Sequence, residues 1–142
     1  MGSGSIMAVD ASRGRPVVVV AGVIEQDGRV LICRRRPDHP HPLKWEFPGG
    51  KVEPGETPAD ALGRELREEL ALEAEIGPEM ERYGYQYPGK TPILLIFHAV
   101  RRFAGEPRNV VFDRIEWAPR AALPEYDFLD GDVDFVRRLA AG

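Results

Sequence analysis

The chain reads as a mixed α/β protein, with a mixed sheet and helices packed on its faces. Two patterns predict this. Short runs of β-branched and aromatic residues, either alternating or nearly continuously apolar, read as strands near both ends of the chain. Two stretches with helical spacing of apolar residues, one between those runs and one at the C-terminus, supply the covering layers. Bulk composition agrees. At 142 residues, 43% hydrophobic and 30% charged, the sequence suits one soluble domain able to bury a single core. The opening MGSGS sets apart residues 1–12 as a disordered tail or an expression remnant, leaving 13–142 as the domain.

The elements follow in order. Val17 to Ile24 is a β-branched run, and Gln26-Asp27-Gly28 is a turn. Residues 29–36 form a second strand, so the pair is expected to be a hairpin. A proline-punctuated loop follows, PDHPHPLKW. Residues 57–75 are helical in pattern, and the core of the helix is 58–70. Thr57 is placed to cap it, Pro58 takes the first helical position, and Asp60 sits in the place of a capping box. Leu62, Leu66 and Leu70 recur at i, i+4 and i+8, which makes the apolar stripe. Tyr83, Tyr85 and Tyr87 alternate as in a half-exposed strand. PILLIFHAV is continuously apolar, as in a strand covered on both faces. NVVFDRIEW reads as a further strand, PRAAL as a short helix and DGDVDFVRRLAAG as a closing amphipathic helix. The expected order is β-β-α-β-β-β-α.

Composition also excludes several classes. A net charge of −4 argues against a general nucleic-acid polymer binder. One cysteine, Cys33, rules out an internal disulfide framework and fits a reducing compartment. No apolar run reaches membrane-spanning length and no signal-peptide pattern opens the chain, so a cytoplasmic protein is expected.

The chemistry concentrates on the first helix. With about 100° between successive residues, Glu65, Glu68 and Glu69 fall on the arc beside the leucine stripe. Arg64 and Arg67 are expected to point largely elsewhere, leaving three carboxylates to repel one another. A solvated acidic face would tolerate that crowding, and so would a divalent cation, for which hard oxygen ligands suit Mg²⁺ or Mn²⁺.

The spacing to the preceding loop decides between them. From Gly50, five residues lead to Glu56 and seven more to Arg64-Glu65-Leu66-Arg67-Glu68-Glu69, with Leu72 closing the run. This resembles the Nudix box, G-x5-E-x7-R-E-U-x-E-E-x-G-U, where U is bulky and apolar. One position departs: Ala71 stands where the box has its late glycine. A glycine after a helix commonly adopts the left-handed conformation, and alanine there costs on the order of 1 kcal/mol, but no ligand is lost. The lead-in RRRPDHPHPLKWEFPGGKVEPGET resembles the MutT-like subgroup, which hydrolyses nucleoside triphosphates.

The resemblance implies a Nudix-type α/β/α sandwich with a central mixed β-sheet. It implies an acid anhydride hydrolase in which a divalent metal, Mg²⁺ or Mn²⁺ by ligand type, activates water toward a phosphorus of a diphosphate linkage. Attack at the β-phosphorus of a triphosphate would give a nucleoside monophosphate and pyrophosphate. Glu65, Glu68 and Glu69 match the metal-binding and base cluster, and the Gly49 carbonyl matches a further metal ligand. Glu56 and Arg64 match a pair that orients the cluster; a plain ion pair at the helix start is the alternative. Arg35 matches a substrate-contacting arginine, against ordinary solvated charge. Glu46 and Phe47 border the expected base pocket, with Phe47 favoured as core. Asp132 lies near the place of a base-reading Asn or Asp, while Asp130 and Asp132 are also natural helix caps. Glu106 and Asp113 are the candidates to complete the metal shell. His39, His41 and His98 form no ligand pattern, and His98 and Cys33 are expected to be buried strand residues.

The expected activity is therefore an Mg²⁺-dependent pyrophosphohydrolase of oxidised purine nucleotides or of a pyrimidine nucleotide such as CTP. A Nudix hydrolase of ADP-ribose or a nucleotide sugar, and a nucleotide-binding domain without catalysis, are the other readings. The expected partner is a nucleotide, with the protein a monomer or homodimer.

Overall fold

The computed structural model describes residues 15–142; the expected tail over 1–12 lies outside the described residues. Ten elements build the domain: β1 (Val17–Val23), β2 (Glu25–Gln26), β3 (Arg29–Arg34), β4 (Trp45–Glu46), β5 (Gly49–Lys51), α1 (Pro58–Leu70), β6 (Glu73–Tyr85), β7 (Ile93–Ala104), β8 (Arg114–Pro119) and α2 (Val133–Ala141). Two 3₁₀ turns, Arg120–Glu125 and Asp130–Asp132, precede α2.

The strands divide between two sheets. One is mixed, in the order β5-β1-β7-β6, with β1 parallel to β7 and antiparallel to β5. In the other, β3 pairs antiparallel with β2, β4 and β8. This corrects the expected hairpin. The part that pairs back onto β3 is short, Glu25 and Gln26 with the Leu31 N–H donating to Ile24 O, across a turn in which Asp27 and Gly28 both take positive φ (54° and 77°). The valine run goes instead to the centre of the mixed sheet, where apolar residues are needed on both faces.

Alternation along β1 and β7 separates two cores. Val20 and Ile96 pack with Leu62, Leu66 and Leu70 of α1, whereas Ala21, Leu95 and Phe97 pack with Phe135 and Leu139 of α2. Phe97 and Phe135 stack with centroids 3.9 Å apart. The mixed sheet is thus held between two helices, an α/β/α sandwich. The three α1 leucines are fully buried, which is worth roughly 1.5–3 kcal/mol each.

Helix α1 is shorter than the pattern over 57–75 suggests. Thr57 Oγ1 accepts the Asp60 N–H at 3.1 Å and starts it. Ala71 ends it in the left-handed conformation (φ 52°, ψ 39°), its N–H donating to Arg67 O and the Leu72 N–H to Leu66 O. Residues from Glu73 onward then belong to β6. The late strand is also shorter, starting at Arg114 rather than Asn109. His98 Nδ1 lies 2.9 Å from Gly77 O, and Cys33 is fully buried. Among the described residues, no helix is long and apolar enough to cross a membrane.

Candidate active site

Antiparallel pairing with β1 brings the two glycines of β5 against α1. Backbone leaves no room for a side chain at Gly49, and one at Gly50 would have to push the Glu65 carboxylate aside. A Cβ on Gly49 would stand 2.0 Å from Val20 O, and one on Gly50 would stand 2.3 Å from Glu65 Oε2. The backbone therefore reaches the carboxylates directly: the Gly49 N–H donates to Glu69 Oε1 at 3.1 Å.

Arg64 organises the start of the cluster. Its Nε and Nη2 grip Glu56 in a two-point pair (2.7 and 2.9 Å), and Nη2 also donates to Lys51 O. Glu56 in turn accepts the Glu53 N–H at 2.9 Å. The Arg64 bonds, with help from that N–H, hold the Glu56 carboxyl down at about 2. Contrary to the expectation that Arg64 points away, its Nη1 reaches Glu65 (3.3 Å) and Glu68 (3.4 Å). Positions around a helix axis are a poor guide here, because the long arginine side chain lies back across its own turn. Arg67 follows the expectation and turns outward, 3.8 Å from Glu73.

Glu69 has no cation within ion-pair distance among the described residues. Burial, with repulsion from Glu65 and Glu46, pushes its carboxyl up to about 9 against the single Gly49 N–H. Burial also raises Glu65, with Arg64 opposing. Among the described residues, no three acidic, His or Cys side chains already converge in ligating geometry. The hydrogen bonds explain this: Glu65 and Glu68 lean toward Arg64 while Glu69 leans toward Gly49.

A cavity of about 230 Å³ runs from Gly49, Gly50 and Glu69 past Arg35 and Glu46 to Asp132. Arg35 Nη1 meets both Glu46 oxygens (3.1 and 3.2 Å) and its Nε donates to Pro40 O. Phe47 is 3% exposed and packs on Phe97, Phe128 and Phe135, so it is core, with part of its surface lining the cavity.

Asp132 is 6% exposed, and its side chain makes no helix-capping bond. The expected cap is thus not formed by Asp132, and none is made by Asp130 at the preceding turn. What fixes the turn is tyrosine: Tyr83 hydroxyl donates to Gly131 O at 2.7 Å, and Tyr87 hydroxyl accepts the Gly131 N–H at 2.9 Å. Burial, then the nearby Glu46, pushes the Asp132 carboxyl up to about 8, with Arg35 opposing.

Sequence reasoning missed the tyrosine anchors, Tyr83 and Tyr87, and a further lining group, His41, whose ring lies 4.7 Å from that of Tyr87. His41 has φ 54°, a conformation uncommon for a non-glycine residue, but sequence alone gives no sign of it. Asp113 is committed to Arg34 at 2.6 Å and lines neither this cavity nor the helix cluster. Glu106 lies on an exposed loop outside the cavity lining.

Comparison with known proteins agrees with this architecture. The NUDIX domain family model matches residues 13–139. The chain is 35% identical to the CTP pyrophosphohydrolase of Escherichia coli over 126 residues, covering 88% of this chain and 92% of that protein. It is 34% identical to the 8-oxo-dGTP diphosphatase of Haemophilus influenzae, covering 87% and 90%. The crystal structure of a MutT NUDIX hydrolase from Burkholderia pseudomallei superposes with a TM-score of 0.78 at 25% identity, covering 88% of this chain and 98% of that one. The loop-helix box, the sandwich and these relatives together show that the chain belongs to the Nudix hydrolase family, in its MutT-like subgroup.

Proposed function

We propose that this protein is a divalent-metal-dependent nucleoside triphosphate pyrophosphohydrolase, releasing a nucleoside monophosphate and pyrophosphate. The observation that carries the reading is Glu69. It is partly buried beside three other carboxylates, Glu65, Glu46 and Glu68, with one backbone N–H as its partner. Ionised around a cation, these carboxylates are hard donors short of positive charge from the protein, which suits Mg²⁺ or Mn²⁺.

Glu65, Glu68, Glu69 and the Gly49 carbonyl are the groups that would hold the cation. When bound, it offsets the triphosphate charge and makes water a better nucleophile. Glu68 is the most open of the three, its side chain 59% exposed against 16% for Glu65, and takes the proton from the attacking water. The water oxygen joins the β-phosphorus as the bond from that phosphorus to the α–β bridging oxygen breaks. The bridging oxygen leaves with the nucleoside monophosphate. Arg64, held by Glu56, keeps Glu65 and Glu68 oriented.

At the far end of the cavity, Asp132 is the base-reading group. Its raised carboxyl is protonated below about 8, so it can both donate to and accept from a base edge. Arg35 neutralises Glu46 and keeps the region between base and phosphates from becoming too negative.

The test is purified protein with Mg²⁺ and a panel containing CTP, 8-oxo-dGTP, the common triphosphates, ADP-ribose and a nucleotide sugar, with products separated by ion exchange. Monophosphate and pyrophosphate from a triphosphate support the reading. No product from any compound would sink it, and preference for ADP-ribose would replace it with a different Nudix hydrolysis. Asp132→Ala should reorder base preference by about tenfold while the rate on a generic triphosphate changes less. An unchanged ranking in that panel would remove Asp132 from base reading.

A further inference from the structure

A second, smaller cavity of about 130 Å³ adjoins the first. Arg35, Glu46 and Glu69 line both, so the two cavities meet at these three residues. The smaller cavity adds Arg36 and His39 on one side and Val111 and Phe112 on the other. A turn closed by the His39 N–H on Arg36 O (3.2 Å) sets the first two residues three apart, facing one space. The second wall is a loop fastened to the end of α1: Arg108 N–H donates to Leu70 O (2.8 Å) and Val110 N–H to Glu69 O (3.1 Å). The cavity is therefore bounded by the helix end that carries Glu69.

We propose that this cavity holds the terminal phosphates of the substrate, and the pyrophosphate made from them, with Arg36 and His39 as binding donors. The inference rests on the pyrophosphohydrolase reading above and deepens it. If the nucleoside fills the larger cavity toward Asp132, the phosphate tail lies at the end lined by Gly49, Gly50 and Glu69, and Glu69 also lines the smaller cavity. Of its two carboxylates, Glu46 is already paired with Arg35, and Glu69 is offset by the cation that reading assigns to it. Arg36 and His39 then remain as donors for a chelated polyanion. Arg36 is only loosely engaged, 3.4 Å from Asp38 with both side chains largely exposed. Exchanging that contact for phosphate costs little.

Arg36→Ala combined with His39→Ala tests the assignment, with Arg36→Lys as the charge-preserving control. Binding of magnesium pyrophosphate is measured by calorimetry, beside binding of the nucleoside monophosphate product and pyrophosphate inhibition of hydrolysis. We expect the double variant to bind pyrophosphate about tenfold more weakly. Its KM for triphosphate should rise similarly, with monophosphate binding unchanged and Arg36→Lys partly restoring the loss. Equal pyrophosphate affinity in wild type and double variant overturns the subsite alone. Equal weakening of monophosphate and pyrophosphate also overturns it, since that is general damage to the site. A wild type that releases no pyrophosphate from any nucleoside triphosphate sinks the underlying reading, and the subsite with it.

Discussion

The two ends of the acidic cluster handle charge in opposite ways. At the helix start, Glu56 is matched by a two-point arginine and a backbone N–H, and its carboxyl sits at about 2. At the helix end, Glu69 has one N–H and three carboxylate neighbours, Glu65, Glu46 and Glu68, and sits at about 9. Both residues belong to the same box and lie within one loop and helix. The difference teaches where to look for function. A carboxylate given its counter-charge by the protein reads as structural support, whereas one denied it is the candidate to hold a ligand that brings positive charge.

The largest expected effect is at the unmatched end. Glu69→Gln keeps the shape and the Gly49 hydrogen bond but removes the charge, and should lower kcat by about 10³-fold. Its thermal unfolding without metal should match or exceed wild type near neutral pH, because the wild-type carboxyl must take up a proton on folding and glutamine need not. Near-normal turnover in this variant would place the working carboxylate elsewhere. At the matched end, Glu56→Gln should cost less, about 10–100-fold, as a group acting through Arg64. A loss as large as that of Glu69→Gln would erase the distinction between the two ends.

Asp132 extends the comparison to pH. Its folded carboxyl titrates near 8, above the ordinary unfolded value of about 4. Between those values the folded protein holds a proton that the unfolded chain has released. Its contribution to stability therefore falls as pH rises from about 4 to about 8, by at most about 1.4 kcal/mol per pH unit, and levels off above. Asp132→Asn should flatten the part of the metal-free unfolding profile that lies in this window. An identical slope in wild type and variant would mean that Asp132 is ionised in the fold.

The smallest effect is at the helix stop. Ala71→Gly should stabilise by up to about 1 kcal/mol, because the left-handed conformation is already present and glycine adopts it freely. That corresponds to a melting-point rise of roughly 2–8 °C, with kcat unchanged. A lower melting temperature would show that the entropy of the unfolded glycine outweighs the relieved strain.

What the sequence made legible was local. Thr57, Pro58, the leucine stripe and the spacing from Gly50 to Glu69 obey rules that operate within a few turns of chain, and the helix forms where they place it. Non-local choices were hidden. Nothing in the valine run says that β1 leaves its hairpin partner for β7, some seventy residues away. Arg64 reaches three glutamates through side-chain length, which residue angles around a helix do not contain. The Arg35–Glu46 pair depends on β3 and β4 registering at Cys33 and Glu46. Asp132 looked like a cap because its burial depends on Tyr83 and Tyr87, brought in from β6 and the loop after it.

The central claim is that the unmatched end of the cluster is a divalent-cation site. Titration of Mn²⁺ into wild type, Glu69→Gln and Glu56→Gln, followed by calorimetry, tests it without requiring turnover. The account predicts a saturable site in wild type, its affinity weakened most by Glu69→Gln and less by Glu56→Gln. Equal Mn²⁺ affinity in wild type and Glu69→Gln would contradict it.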